Sequence, residues 1–204
     1  MTLSPGTKLG PYEIVAPLGA GGMGSVYRAY QHSMDRDVAL KLIRKELAGD
    51  EQAVKRFFRE AKAASRLTSP HSITVFDFGQ TPVGLLYIAM ELLRGRTLSS
   101  ILRQVGGPMD PIRSVRIIDQ VLDSLGEAHS VGVIHRDLKP DNIFVLEGAV
   151  AQDFVKVLDF GIAKIQRSPG DDVTQSGQMF GTPSYMSPEQ AQGRELGSRS
   201  DLYS

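Results

Sequence analysis

Hydrophobic and polar residues alternate along several short segments in the first half of the chain, and a period of two predicts β-strands. The strand candidates are Tyr12–Leu18, Ser25–Tyr30, Asp37–Ile43, Ile73–Phe78 and Leu85–Leu92. In the third candidate, Leu40 lies on one face while Ala39 and Lys41 lie on the other. Residues 50–67 show the spacing of a helix instead, with Asp50 as the N-cap. This half of the chain therefore predicts a sheet with one long helix.

After about Gly95 the pattern changes to helical spacing. Asp110 is a predicted N-cap, and Pro111 occupies the first helical position. The helix is expected to run to about Ser130 and to end before Gly132. Its inward face is predicted to consist of apolar residues at helical spacing, namely Val115, Ile118, Leu122 and Leu125.

Two more short strands, Ile143–Leu146 and Val155–Leu158, are predicted on either side of a turn. The polar segment Arg167–Gln178 is a predicted loop. The whole pattern predicts an α+β fold. Residues 1–93 form a β-rich lobe with one long helix, and residues 94–204 form a mainly helical lobe.

The composition narrows the classes of protein that need to be considered. The 204 residues are 41% hydrophobic and 23% charged, which is typical of a soluble globular protein. The 23 basic and 23 acidic residues balance, which argues against nucleic acid as the main partner. Because the chain has no cysteine, disulfides, thiol catalysis and cysteine–zinc sites are excluded.

No segment has the character of a targeting signal or a membrane span. Residues 1–9 are polar, and the longest apolar stretch, residues 83–93, is interrupted by Gly84 and Glu91 and is too short to cross a bilayer. We therefore expect these residues to be cytoplasmic, and a membrane anchor beyond Ser204 is compatible with this expectation.

Four short motifs carry most of the chemical information. They are Gly19-Ala20-Gly21-Gly22-Met23-Gly24-Ser25-Val26, Val38-Ala39-Leu40-Lys41, His135-Arg136-Asp137-Leu138-Lys139-Pro140-Asp141-Asn142 and Asp159-Phe160-Gly161. The glycine motif alone is a weak signal, because dinucleotide-binding folds share the Gly-x-Gly-x-x-Gly spacing. Those folds place a helix directly after the third glycine, whereas the residues after Gly24 favour a strand. A flap between two strands, whose backbone N–H groups approach phosphate oxygens, fits better.

In this order, the four motifs resemble those of the protein kinases. Lys139, two residues after Asp137, resembles the serine/threonine branch of that family. The segments Gly21–Tyr27 and Ser187–Ala191 resemble the bacterial Hanks-type (eukaryotic-like) serine/threonine kinases. The resemblance covers about Tyr12 to Ser204 and implies a two-lobed protein-kinase-like fold whose helical lobe is truncated at its C-terminal end.

The resemblance implies that ATP is bound in the first lobe, with Lys41 at the α- and β-phosphates. The implied nucleotide contacts are Leu18, Gly19, Gly21, Gly24, Val26, Ala39, Lys41, Met90, Glu91, Leu93 and Phe144. Glu60 lies on the predicted buried stripe of the long helix, where an unpaired carboxylate would be costly, so we expect it to pair with a cation. Lys62 and Arg66 on the same helix are alternatives, but they point to other faces, which favours Lys41.

The resemblance also assigns the catalytic roles. Asp137 would accept the proton of the substrate hydroxyl, and Lys139 would neutralise charge on the transferring phosphate. Asn142 and Asp159 would supply oxygen ligands for Mg²⁺. The implied activity is transfer of the γ-phosphoryl group of ATP to Ser or Thr hydroxyls of protein substrates.

The same resemblance implies regulation through an activation loop. Thr174 and Ser176 are candidate autophosphorylation sites, and Arg136 is the basic residue that would receive the phosphate. A kinase dimer would allow this phosphorylation to occur in trans. Thr182 would bridge the two catalytic-loop residues Asp137 and Lys139, and a later aspartate, at position 201, matches the residue that anchors the backbone of that loop.

Two other interpretations stay open. The chain could be a pseudokinase-like scaffold that binds nucleotide without catalysis, although all the residues named for catalysis and metal binding are present. It could also be an inactive fragment, because Glu189 is expected to pair with an arginine in later helices. Measurements of ATP binding and of phosphate transfer would separate these alternatives.

Overall fold

The computed structural model describes residues 3–21, 24–43, 50–148, 152–160 and 183–204. The chain divides into two compact units, one made of residues 1–66 and 74–93 and the other of residues 67–73 and 94–204. The first contains a large sheet and one long helix, and the described part of the second is mainly helical. The predicted α+β class is confirmed.

The sheet of the first unit consists of β1 (Lys8–Leu9), β2 (Tyr12–Gly21), β3 (Gly24–Gln31), β4 (Arg36–Ile43), β5 (Val75–Gln80) and β6 (Leu86–Glu91). It is antiparallel throughout, in the order β1-β2-β3-β4-β6-β5. All five predicted strands are confirmed, with ends that shift by at most three residues. Strand β1 is only two residues long, too short to show an alternating pattern.

One face of this sheet carries the hydrophobic core of the first unit. The buried side chains are Leu9, Tyr12, Ile14, Tyr27, Ala29, Val38, Leu40, Leu42 and Ala89. Successive strand residues point to opposite faces, so Leu40 enters this core while its neighbours Ala39 and Lys41 face the other way. The core therefore fixes which face of the sheet carries Lys41.

The long helix, α1 (Glu51–Ala64), begins at its predicted N-cap, where the Asp50 carboxylate accepts a hydrogen bond from the backbone N–H of Gln52 at 2.8 Å. Its buried face consists of Ala53, Phe57, Glu60, Ala61 and Ala64. The helix ends three residues before its predicted end at Leu67, which belongs to the second unit.

The second unit contains a three-stranded antiparallel sheet and four described helices. The strands are β7 (Gly95–Thr97), β8 (Ile143–Leu146) and β9 (Val155–Val157), and the helices are α2 (Leu98–Val105), α3 (Pro111–Ser130), α4 (Pro188–Ala191) and α5 (Ser198–Tyr203). The hairpin formed by β8 and β9 and the helix α3 were predicted, whereas β7 and α2 were not. Within the described ranges, no helix combines the length and the apolar character needed to span a membrane.

The buried face of α3 differs from the predicted one. Val115, Ile118 and Leu122 are 69%, 48% and 46% exposed, so this part of the prediction was wrong. The buried side chains are Ile117, Val121, Ser124, Leu125 and Ala128, so the prediction was correct for Leu125. The helix carries two neighbouring apolar stripes, and periodicity alone does not choose between them. Tertiary contacts make the choice, since Ser124 Oγ lies 2.8 Å from Ser72 Oγ on the buried side.

Residues 67–73 are fixed to the second unit by backbone and side-chain hydrogen bonds. The Ile73 N–H donates to the Val157 carbonyl at 3.0 Å, and the Val157 N–H donates to the His71 carbonyl at 2.7 Å, which extends the β7-β8-β9 sheet in parallel. On α3, the Glu127 carboxylate accepts hydrogen bonds from both the N–H and the hydroxyl of Thr68 and from the N–H of Ser69, at 2.7–2.8 Å. Residues 67–73, which begin three positions after the end of α1, are therefore part of the second unit.

Candidate active site

Four of the predicted nucleotide-binding residues lie side by side on the face of the first sheet opposite the core. Val26 pairs with Lys41 across β3 and β4, and Ala39 pairs with Met90 across β4 and β6. Paired residues point to the same side, and Ala39 and Lys41 are two positions apart, so all four share one face. Lys41 is only 5% exposed. An apolar surface beside one buried cation can accept a flat ring that carries an anionic group.

The three glycines of the flap do not serve the same purpose. A Cβ added at Gly24 would lie 1.9 Å from the carbonyl oxygen of Leu42, so the close approach of β3 to β4 requires glycine there. A Cβ added at Gly19 or Gly21 would meet nothing within 4 Å in the described part of the chain. The sheet does not require glycine at those two positions, which leaves room for a ligand beside the backbone. Leu18, just before them on β2, is exposed.

Glu60 lies on the buried face of α1, as its position on the apolar stripe predicted. The guanidinium of the neighbouring Arg59 is one of its partners, with Nη2 3.2 Å from the carboxylate. Arg59 is largely exposed, so this contact is made at the edge of the helix. The ion pair expected between Glu60 and Lys41 stays a prediction.

At the end of β6, Glu91 is held by the residue that precedes β5. Its backbone N–H donates to the Thr74 carbonyl at 3.0 Å, and its carboxylate accepts from the Thr74 N–H at 2.7 Å. Leu93, two residues later, is the last residue of the first unit. These contacts fix the first residue of the backbone segment Glu91–Leu93, which is expected to bind adenine.

In the second unit, the residues of the catalytic motif are directly connected. The Lys139 ammonium lies 3.1 and 2.8 Å from the two carboxylate oxygens of Asp137. The amide nitrogen of Asn142 donates to the backbone carbonyl of Asp137 at 2.7 Å and to its carboxylate at 3.3 Å. The carboxylate is thus oriented by two side chains of its own loop. Phe144, two residues past Asn142, lies partly buried on β8.

The backbone before Asp137 is anchored by Asp201 on α5, which confirms the anchoring predicted from the sequence. The Asp201 carboxylate accepts hydrogen bonds from the N–H groups of His135 and Arg136, both at 2.8 Å. It also lies 2.8 Å from Nε2 of His129 on α3. Arg136 has a φ of +68°, a left-handed conformation that is unusual for a residue with a side chain. Helix α5, which comes later in the chain, therefore holds the backbone of this strained residue through Asp201.

His135 is fully buried, and its hydrogen bonds require a neutral ring. The Asp137 N–H donates to Nδ1 at 3.3 Å, so the ring proton resides on Nε2, which donates to the Leu158 carbonyl at 2.7 Å. Desolvation lowers the pKa of His135, and this effect outweighs the attraction of nearby carboxylates such as Asp201. The lowered pKa keeps Nδ1 available as the acceptor.

The segment that follows β9 is attached to the catalytic loop on both sides of the predicted metal ligand Asp159. Before it, the Leu158 N–H donates to the carbonyl of Asn142 at 2.8 Å. After it, the Phe160 ring packs edge-on against His135, with 5.1 Å between ring centroids. Asp159 itself has a left-handed backbone, with a φ of +61°. The two predicted metal ligands, Asn142 and Asp159, therefore lie on segments that are hydrogen-bonded to each other.

Three predicted regulatory residues, Thr174, Ser176 and Thr182, lie outside the described residues, as does the predicted loop Arg167–Gln178. The fourth, Arg136, is described. Their proposed interactions stay predictions.

Three residues outside the four motifs also hold this region. They are His129, Glu127 and Gln190. His129 and Glu127 bind partners 72 and 59 positions away, and no local spacing indicates such contacts. The role of Gln190 in the helix start could have been predicted from the sequence, because Ser187 and Gln190 have the Ser-x-x-Gln spacing of a helix capping box.

The carboxylate of Glu189, which was expected to pair with an arginine, accepts a hydrogen bond from the Ser200 hydroxyl on α5 at 2.5 Å. This bond is the largest of the effects that lower the pKa of Glu189. The second unit therefore provides this carboxylate with a polar partner from its own helices.

Comparisons with known proteins identify the family. A family model described as protein kinase domain matches residues 12–204. The serine/threonine-protein kinase pkn3 of Myxococcus xanthus is 55% identical over 194 residues, which cover 94% of this chain and 35% of that protein. The serine/threonine-protein kinase PknB of Mycobacterium tuberculosis is 43% identical over 95% of this chain and 30% of its own length.

This chain is also similar to a kinase domain of known structure. The crystal structure of the Mycobacterium tuberculosis PknI kinase domain is 30% identical, with a TM-score of 0.79 over 99% of this chain and 73% of that one. The chain spans about a third of the length of the curated relatives it matches. Since the family model matches nearly its whole length, the chain belongs to the protein kinase domain family, and the relatives it resembles are bacterial serine/threonine-protein kinases.

Proposed function

We propose that the protein containing this chain is an active serine/threonine kinase, which transfers the γ-phosphoryl group of ATP to Ser or Thr hydroxyls of protein substrates. The observation that carries this proposal is the fixed Asp137 carboxylate, which Lys139 and Asn142 contact within one loop. A scaffold that only binds nucleotide has no need for a carboxylate oriented in this way.

Asp137 acts as the acceptor of the substrate hydroxyl proton and orients that oxygen for attack. Lys139, 2.8 Å from the carboxylate, places its positive charge where the transferring phosphoryl group meets the attacking oxygen. Because both side chains belong to one anchored loop, little reorganisation is needed when the substrate arrives.

Residues 1–93 serve as the nucleotide-binding lobe and residues 94–204 as the catalytic lobe. Val26, Ala39 and Met90 provide the apolar surface for the adenine, and the backbone from Glu91 to Leu93 binds its edge. Lys41, on the same face of the sheet, reaches the α- and β-phosphates, and Glu60 orients Lys41. Leu18, Gly19, Gly21 and Gly24 form the flap over the nucleotide, and Phe144 forms part of the floor.

The residues present fit a Mg²⁺ ion. Asn142 and Asp159 offer an amide oxygen and a carboxylate, the hard oxygen donors that Mg²⁺ prefers. The Asn142 amide nitrogen is engaged by Asp137, so the amide oxygen is the atom suited to the metal. When bound, the ion neutralises charge on the β- and γ-phosphate oxygens.

The proposal extends to regulation by phosphorylation of the activation loop. Phosphate added to Thr174 or Ser176, in trans within a kinase dimer, would pair with Arg136 and order the loop. Thr182 would link Asp137 to Lys139. Mass spectrometry of the active protein tests this part, and finding both loop residues unmodified would exclude it.

The central test uses the full-length protein and measures ATP affinity and phosphate transfer separately. Asp137→Asn should lower transfer at least about a hundredfold, the scale for losing a key catalytic contact, while ATP affinity is retained. Asp141→Asn, an exposed aspartate in the same loop, is the matched control and should transfer at the wild-type rate. Wild-type protein that binds ATP without transferring phosphate would establish the scaffold alternative instead.

A further inference from the structure

Gln190 is buried in α4, and both ends of its side-chain amide are engaged. The oxygen accepts a hydrogen bond from the Ser187 N–H at 3.4 Å, while the Ser187 hydroxyl accepts from the Gln190 N–H at 3.3 Å. These two bonds form the capping box that begins the helix. The amide nitrogen, in contrast, donates a hydrogen bond to the carbonyl oxygen of Arg136 in the catalytic loop, at 2.5 Å.

That carbonyl belongs to the peptide group between Arg136 and Asp137. The N–H on the other side of the same peptide group donates to Nδ1 of His135 at 3.3 Å. The preceding N–H, that of Arg136, is held by Asp201 at 2.8 Å. The orientation of the peptide plane that leads into Asp137 is therefore set by two side chains, Gln190 on its oxygen and His135 on its nitrogen.

The left-handed backbone of Arg136 makes this restraint necessary. A non-glycine residue rarely adopts a φ of +68°, so the loop tends to relax unless surrounding contacts hold it. A rotation of the 136–137 peptide plane would swing the Asp137 side chain away from Lys139. A displacement of about 1 Å in a reacting group can cost on the order of a hundredfold in rate.

We propose that Gln190 is a positioning residue for phosphoryl transfer: its amide donor fixes the peptide plane that precedes Asp137 and so fixes the carboxylate that accepts the substrate proton. This inference rests on the proposed kinase function. It makes the placement of helix α4 a determinant of catalysis, since this side chain joins α4 to the catalytic loop.

The two tasks of Gln190 can be separated by substitution. Gln190→Glu keeps an oxygen for the Ser187 N–H, and glutamate is a common partner in capping boxes, but it has no donor for the Arg136 carbonyl. Gln190→Met removes the donor without adding charge. Ser187→Ala is the matched control, because it removes the capping hydroxyl and leaves the Gln190 amide intact.

The test measures kcat, the KM for ATP and the melting temperature of the full-length variants. We expect Gln190→Glu and Gln190→Met to lower kcat tenfold or more with a KM within twofold of wild type. Ser187→Ala should lower the melting temperature and leave kcat within twofold. Wild-type kcat in both Gln190 variants, or a loss of kcat in Ser187→Ala equal to theirs, would overturn the proposal, because either result assigns Gln190 only to starting the helix.

Hydrogen exchange separates this inference from the proposed function. The amide of Asp137 should exchange faster in both Gln190 variants than in wild type, and at the wild-type rate in Ser187→Ala. This measurement does not need activity. If wild-type protein transfers no phosphate, the kinase proposal fails, while the exchange of Asp137 still decides whether Gln190 holds the loop. A wild-type exchange rate at Asp137 would show that Gln190 does not restrain the loop. One folded Gln190 variant is enough for this measurement.

Discussion

Replacing Asp201 with asparagine tests how much the anchoring of the catalytic loop contributes to stability. The Asp201 side chain is 2% exposed and accepts hydrogen bonds from the N–H groups of His135 and Arg136. Asparagine has nearly the same shape, so the substitution creates no cavity. It has only one acceptor oxygen, so its NH₂ group must face one of the two backbone N–H groups.

The magnitude follows from these contacts. A hydrogen bond to a buried charged acceptor contributes about 1.5–3 kcal/mol, and a buried N–H left without a partner costs about 1–3 kcal/mol. The two figures describe partly the same loss and so do not add in full. We therefore expect Asp201→Asn to lower the free energy of unfolding by roughly 2–4 kcal/mol. That is a large share of the roughly 5–15 kcal/mol typical of a folded domain.

Calorimetry of the full-length protein measures this loss as a shift in the melting temperature of the kinase domain. For a domain of this size, 1 kcal/mol corresponds to about 2–4 °C, so the transition should fall by roughly 5–15 °C. Asp123→Asn, an exposed aspartate on α3, is the matched control and should melt within about 1–2 °C of wild type. If Asp201→Asn melts at the temperature of the control, the three contacts at Asp201 do not stabilise the loop, and the reasoning is refuted.

Three further predictions concern single residues. Lys41→Met should lower phosphate transfer about a hundredfold without unfolding the protein, and wild-type turnover would remove Lys41 from the site. Burial raises the pKa of Glu127, but the hydrogen bonds from Thr68 and Ser69 outweigh this effect and lower the pKa overall. The ionised carboxylate therefore contributes fully to stability at neutral pH, and this contribution is lost as the pH falls below about 4.3. The melting temperatures of wild type and Glu127→Gln should therefore converge in acid, and a constant difference would contradict this. Burial lowers the pKa of His135, so the unfolded chain binds more protons and stability falls as the pH drops below about 6.5. His135→Gln should lose this part of the pH dependence in urea unfolding between pH 5 and 8, and parallel curves would show that the ring is not held neutral.

Elements with a strong and unambiguous period could be predicted from the sequence. The alternation in β4 placed Leu40 and Lys41 on opposite faces of the strand, as observed, and the structure adds that the face of Leu40 is the core. Helix α2 was missed although Leu98, Ile101 and Val105 have helical spacing, because it is only eight residues long and follows a three-residue strand. Short elements of this kind are stabilised by their neighbours, so their own pattern is weak.

Helix α3 shows why a correct helix can be assigned the wrong buried face. Its limits follow from Asp110, which caps the Arg113 N–H at 2.9 Å, and from the turn at Gly132. The buried side is chosen by contacts made elsewhere in the chain. Glu127 binds Thr68 and Ser69, and Gln120 donates to the Asp153 carbonyl at 2.9 Å. Those partners lie far away in the sequence, so no window along the helix contains the information.

The candidate site divides in the same way between local and distant information. Asp137, Lys139 and Asn142 could be identified together because the contacts among them span at most five positions. The conformation that presents them could not, because a left-handed Arg136 costs about 1–3 kcal/mol and nothing adjacent in the sequence requires it.

The restraint on Arg136 comes from Asp201 and Gln190, 65 and 54 positions away. Each forms a hydrogen bond with a different backbone group of the same residue, so the strained conformation needs both helices in place. A motif can therefore name the group proposed to accept the proton, while the backbone that carries this group is held by helices from later in the chain.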